Sequence, residues 1–142
     1  MVDDKLLCCK DERLVSVDAK TLRGETDILG VKGGCIVATE VNGKVIVGAN
    51  NDRLLYSLDR KTLREEYKID NKRNISSLFK FNDDCLVVGS YPSLIDVYKV
   101  KDTHFERLSK EGGEKVGGEK VGGYYSIHNM INISNNTYAA SG

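Results

Sequence analysis

Matching strand patterns recur at intervals of 40 and 41 residues, and that spacing constrains this chain more than anything else in it. The clearest copy spans residues 43–65, GKVIVGANNDRLLYSLDRKTLRE. Its apolar runs, 44–49 and 54–58, are parted by Asn50-Asn51-Asp52. Asn and Asp tolerate positive φ and hydrogen-bond their own backbone, so this cluster reads as a tight turn. Asp59-Arg60-Lys61-Thr62 makes a second polar break before an extended run over 63–69. Strand, turn, strand, turn, strand is the grammar of an antiparallel meander.

The grammar repeats on both sides. Arg13-Leu14-Val15 matches Arg53-Leu54-Leu55, and Lys20-Thr21-Leu22-Arg23 matches Lys61-Thr62-Leu63-Arg64. Val45-Ile46-Val47-Gly48 matches Leu86-Val87-Val88-Gly89. Strands are expected over 6–10, 13–17 and a weaker, more polar 22–29, then over 35–41, 44–49, 53–58 and 63–69. A further set covers 75–81, 85–90, 94–100 and 105–108, and a last one begins with 126–133 and 137–140. No segment sustains a helical period. Self-similarity at about 40–45 residues, with four strands per unit, is the period of a propeller blade.

The expected fold class is therefore all-β: consecutive four-stranded antiparallel blades of a β-propeller, incomplete, about three blades' worth. The blade segments fall at 5–29, 35–70, 75–108 and 125–142. Propellers close with about four to eight blades. The chain is thus expected to be a fragment of a longer protein, with exposed blade faces that make it self-associate. Residues 111–123 hold GGEKV written twice and then two more glycines, which reads as a flexible Gly-rich insert between blades.

Charge nominates no partner. Lys plus Arg and Asp plus Glu both number 21 in a chain of 142 residues, and the signs are interleaved. Neither nucleic acid nor a membrane surface is expected to bind. The N-terminus MVDDKLLCCKDERL carries acids at once, so it is not a secretory leader, and a cytoplasmic protein is expected. The four cysteines, Cys8, Cys9, Cys35 and Cys85, include no CxxC pair and are expected to be small buried hydrophobes in reduced form. The sequons at Asn74, Asn132 and Asn135 are expected to carry no sugar.

These residues resemble WD40-type repeats over nearly the whole chain outside the insert. In that family the third strand of a blade ends in an aromatic–acid dipeptide. Val17-Asp18 and Leu58-Asp59 stand at that place and keep the acid, while Tyr98-Lys99 keeps an aromatic. Asp11 and Asp52 stand at the family's turn position, and no Gly-His pair is present. A similar grammar occurs in quinoprotein-type propellers, where a cofactor sits over the central axis. Those enzymes are typically exported and gather acids, Trp and a metal there; this chain has no Trp. The WD40 resemblance implies a protein–protein interaction scaffold without catalytic activity, cofactor or metal. The competing readings are a quinoprotein-type (PQQ-like) propeller and the regulatory propeller region of a larger enzyme.

Catalytic and metal-ligating patterns are lacking. His104 sits in a polar turn and His128 in an expected strand, neither with a second ligand at metal spacing. Asp83-Asp84 and Glu65-Glu66 read as solvated charge, and Asn50-Asn51-Asp52 lacks the alternating acids of a calcium loop. What remains is the surface of loops, where propellers recognise peptides and domains. The expected partner-binding residues are Tyr91, Lys72, Arg73, Tyr124 and Tyr125, because Tyr and Arg are common interface anchors. The expected partners are other proteins or peptides.

Overall fold

The expected runs of Val, Ile, Leu and Tyr become strands almost residue for residue. The computed structural model describes residues 4–31, 34–49, 53–91, 94–109, 114–115, 129–134 and 137–141, and these contain strands and no helix. A first sheet of three strands holds β1 (Lys5–Lys10), β2 (Arg13–Asp18) and β3 (Thr26–Gly30). A second holds β4 (Cys35–Val41), β5 (Lys44–Ala49), β6 (Leu54–Asp59) and β7 (Glu65–Asp70) in that order. A third holds β8 (Asn74–Lys80), β9 (Cys85–Tyr91), β10 (Leu94–Val100) and β11 (Phe105–Arg107). A hairpin of β13 (Asn129–Ser134) and β14 (Thr137–Ser141) begins another. Every pairing is antiparallel.

The inner strands are apolar on both faces because they are buried on both. Val45, Ile46 and Val47 all have no exposed surface, nor do Leu86, Val87 and Val88. Between the first and second sheets Leu14 and Val31 pack against Val45, Val47 and Leu58. Between the second and third, Ile46 and Leu55 meet Ile75, Leu86, Val88 and Tyr98. The outer strand β7 alternates exposed and half-buried residues, which places charge on the sheet edge and discourages pairing with other chains.

Two strands start later than the sequence suggests. The weak run at 22–29 enters the sheet at Thr26, and the run at 63–69 enters at Glu65. Identical turns precede both. Asp18 Oδ1 accepts from the amides of Lys20 and Thr21, at 2.8 and 2.9 Å. Asp59 Oδ1 accepts from those of Lys61 and Thr62, both at 2.8 Å. The Leu22 amide donates to the Asp18 carbonyl at 2.8 Å, and the Leu63 amide to that of Asp59 at 2.7 Å. Both leucines are thereby driven into the left-handed region, at φ 58 and 60°. Yet Leu63 is 6% exposed and packs in the junction with the first sheet, while Leu22 is 66% exposed. Leu22 and Leu108 are the exposed large hydrophobics among the described residues.

The cysteines correct the expectation of reduced, buried thiols. Cys9 on β1 and Cys35 on β4 form a disulfide with a Cα–Cα distance of 6.0 Å, and Cys8 is exposed. The reason is a close approach between sheets that single-strand reasoning does not reveal. Cys85 remains free and half-buried, its thiol pushed up by burial and by the neighbouring Asp84 charge. Within 111–123, Glu114 and Lys115 form a short strand, β12, paired with Ile95 and Leu94, so this part of the expected flexible insert extends the third sheet. The rest of the insert lies outside the described residues.

Candidate interaction surface

Antiparallel alternation sorts the connections onto two rims. The β4–β5 turn (Asn42, Gly43), the β6–β7 turn, the β8–β9 turn (82–84) and the β10–β11 turn share one rim. Asn42 ties three of them together: its amide donates to the Asp83 carbonyl at 2.6 Å, and its Nδ2 to the Val100 carbonyl at 2.8 Å. A cleft of about 750 Å³ opens here, lined by Glu40, Asn42, Arg60, Lys80, Asp83 and Asp84. Its charges are internally matched. Arg60 pairs with Glu40 at 3.4 Å, Lys80 with Asp83 at 3.7 Å, and Asp84 with Lys99 at 3.7 Å.

The opposite rim holds the connection from β7 to β8 and the end of β9. Here the structure brings together three of the residues expected to bind a partner. Lys72 and Arg73 are exposed on the connection, and Tyr91 closes β9 opposite Asn74, the first residue of β8. The expectation at Tyr124 and Tyr125 lies outside the described residues, as does the side chain of Tyr91. The connection is held in a fixed shape. The Lys72 amide donates to Asp70 Oδ1 at 2.7 Å, with Lys72 itself at φ 64°. Asn71 has no exposed surface; its amide donates to the Arg53 carbonyl at 2.7 Å, and its Nδ2 to Ser90 Oγ at 3.0 Å.

Beneath this rim lies a polar network that strand-level reading misses. Tyr98 Oη donates to Asn71 Oδ1 at 2.6 Å, and Arg107 Nη2 donates to Tyr98 Oη at 2.7 Å. Arg107 also pairs with Asp96 and stacks over the Tyr98 ring, 5.0 Å from its centroid. Burial pushes the Tyr98 hydroxyl up to about 12. Asp96 has no exposed surface, and its Oδ2 has no hydrogen-bond partner among the described residues. Burial raises its carboxyl above 3.8 despite the Arg107 charge, with Arg73 adding a weaker opposing pull. The signal was present in the sequence: the alternation of LIDVYKV puts Asp96 on one face with Leu94, Tyr98 and Val100.

No group of His, Cys, Asp or Glu among the described residues is arranged to hold a metal ion. Among the described residues no helix is long and apolar enough to cross a membrane. His104 stands in the β10–β11 turn with Nδ1 3.0 Å from Thr103 Oγ1; His128 lies outside the described residues.

No family model and no curated protein matches the chain. Solved structures do. A chain of the mitotic checkpoint complex superposes with a TM-score of 0.76 at 8% identity, covering 97% of this chain and 44% of that one. A chain of the S. cerevisiae complex of Dbp5 bound to Nup159, Gle1, IP6 and ADP gives 0.67 at 15% identity, over 99% and 36% of the respective lengths. The N-terminal domain of Nup159 gives 0.66 at 16% identity, over 99% and 37%. The chain thus spans less than half the length of each of these three. The neighbours are WD40 β-propeller proteins, and the fold of this chain is that of WD40-like propeller blades.

Proposed function

We propose that the chain is a protein-interaction scaffold without catalytic activity, working in the cytoplasm, and that its partner docks on the rim carrying Lys72, Arg73 and Tyr91. The observation behind this reading is the hydrogen bonding that holds that rim. Asn71 is buried and bonded from both its backbone and its side chain, so Lys72 and Arg73 are presented on a connection that is already shaped. A loop held in its binding shape loses less conformational freedom on association. The solved neighbours sit in protein complexes by their own descriptions, which agrees with protein or peptide partners. The cleft on the other rim is the weaker candidate, because its charges already neutralise one another.

The test is capture of partners by tagged wild-type protein, by the Tyr91→Ala/Lys72→Ala/Arg73→Ala variant, and by Arg60→Ala/Lys80→Ala on the opposite rim. A true anchor is worth about 1–2 kcal/mol, or roughly tenfold in affinity. The first variant should lose a protein that the second retains, with its β-rich circular dichroism intact. Equal capture by both would remove this rim from the site. Turnover or cofactor absorbance in the purified protein would overturn the non-enzymatic reading.

A further inference from the structure

We propose that Cys9 and Cys35 form a reversible thiol–disulfide site, which staples the first sheet to the second under oxidising conditions and releases it to a small-molecule thiol. The repeat itself shows why a cysteine pair fits here. In the strands themselves β2 (Arg13–Asp18) aligns with β6 (Leu54–Asp59), which puts Leu14 at the place of Leu55 and not of Leu54 as the sequence match has it. Cys9 opposes Leu14 as Gly48 opposes Leu55 one unit later. Cys35 opposes Ala49 as Ile75 opposes Ser90. The Cys9–Cys35 contact is therefore the counterpart of Gly48 against Ile75. At that second junction an added Cβ on Gly48 would lie 3.2 Å from Ile75 Cγ2 and 3.2 Å from Leu78 Cδ1. The second strand of one unit thus runs almost in contact with the first strand of the next. The later junction accommodates this with a glycine, and the earlier one with a covalent bond.

Two further features suit the pair to reversible chemistry. Cys9 is exposed, so an attacking thiolate can reach its sulfur, whereas Cys35 is half-buried. Cys9 Sγ also lies 3.3 Å from the Cys35 carbonyl oxygen, which puts a hydrogen-bond acceptor within reach of the thiol once the two sulfurs separate. The exchange balances in two steps. A thiolate of the glutathione class attacks Cys9 Sγ; the S–S bond breaks, and Cys35 leaves as a thiolate and takes up a proton. A second small thiol then attacks the sulfur of the first in the mixed disulfide, yielding the Cys9 thiol and the oxidised small-molecule disulfide. Two electrons pass from the small thiols to the protein.

Release has a local consequence. Beside this bond, the described residues of the first sheet meet the second in an apolar junction, in which Leu14 and Val31 carry the buried contacts. Among the described residues no strand pairs with the inner edge of β1, whereas β5 and β9 pair with β4 and β8. Reduction should therefore loosen residues 5–18 and leave the third sheet alone.

The test equilibrates the whole chain in glutathione buffers of graded redox ratio, then unfolds and alkylates it for mass spectrometry. Oxidising buffer should leave two alkylated cysteines, Cys8 and Cys85, and reducing buffer four, with fragment spectra placing the change at Cys9 and Cys35. Amide hydrogen exchange over 5–18 should run about tenfold faster in the reduced form, with 85–100 unchanged. Cys8→Ser should keep the transition, and Cys35→Ser should abolish it. Four alkylated cysteines under oxidising conditions, a bond involving Cys8 instead, or exchange over 5–18 that ignores the redox state would each overturn the proposal. The wild-type titration decides the matter even if Cys35→Ser does not fold.

Discussion

Leu22 and Leu63 occupy the same turn with the same left-handed backbone, and replacing each with glycine separates strain from burial. Glycine adopts positive φ freely, so either substitution relieves the roughly 1–2 kcal/mol that a left-handed conformation costs an L-residue. Against that, glycine enlarges the freedom of the unfolded chain, which costs roughly 0.5–1 kcal/mol. For Leu22, 66% exposed, little burial is lost, so Leu22→Gly should be neutral to stabilising by about 0.5–1 kcal/mol. For Leu63, 6% exposed and packed against the first sheet, the lost side chain adds about 2–5 kcal/mol, and Leu63→Gly should destabilise by about 3 kcal/mol. Urea unfolding followed by circular dichroism should separate the two midpoints by about 1–2 M. Runs at several protein concentrations, with light scattering, expose any self-association through Leu22: its loss would then destabilise only where the chain associates. Equal destabilisation of both variants at every concentration would refute the argument, since it would mean the shared turn and not the junction decides the cost.

Two acids of the turns and one of the core should titrate in opposite senses. Asp18 is held below 3.8 by the amides of Thr21 and Lys20, and Asp59 by those of Thr62 and Lys61, so the stability they lend is present above 3.8 and lost as pH falls through their lowered values. Asp59→Asn should flatten the acid limb of the unfolding midpoint measured from pH 2 to 7. Asp96 is raised by burial, so its contribution is complete below 3.8 and lost as pH rises through its folded value. At neutral pH Asp96→Asn should therefore cost less than about 1 kcal/mol, whereas Arg107→Ala, which leaves a buried acid without its cation, should cost about 3 kcal/mol; equal losses in urea titrations would contradict this.

The strands were legible because each apolar run answers to a local rule. Period-two alternation in β10 and continuous apolar runs in β5 and β9 follow from whether one face or both are covered, and the repeat told which strands are covered. The starts of β3 and β7 were not legible. Leu22 and Leu63 look like strand residues by composition, and only the two hydrogen bonds to each Asp carboxylate show that the turn extends through them. A β-former loses here to turn chemistry, because two bonded amides outweigh one residue's propensity.

The rim was partly legible for a different reason. Lys72, Arg73 and Tyr91 could be placed on one edge by counting strands, since antiparallel order alone decides which connections lie together. What holds that edge in shape could not be counted out. Asn71 reads as one more loop asparagine, yet it is fully buried and joins Arg53, Ser90 and Tyr98 across two sheets. Cys9 and Cys35 meet across a similar boundary, between strands 26 residues apart. Both depend on how one sheet sits against the next, a relation carried by side chains on different units and not by the pattern within either. The Gly48–Ile75 contact shows that the relation is nonetheless repeated. A residue's place in one unit therefore indicates what its counterpart touches in the next, and the departures from that rule, a cysteine pair for a glycine and an exposed leucine for a buried one, mark where the first sheet differs from the second.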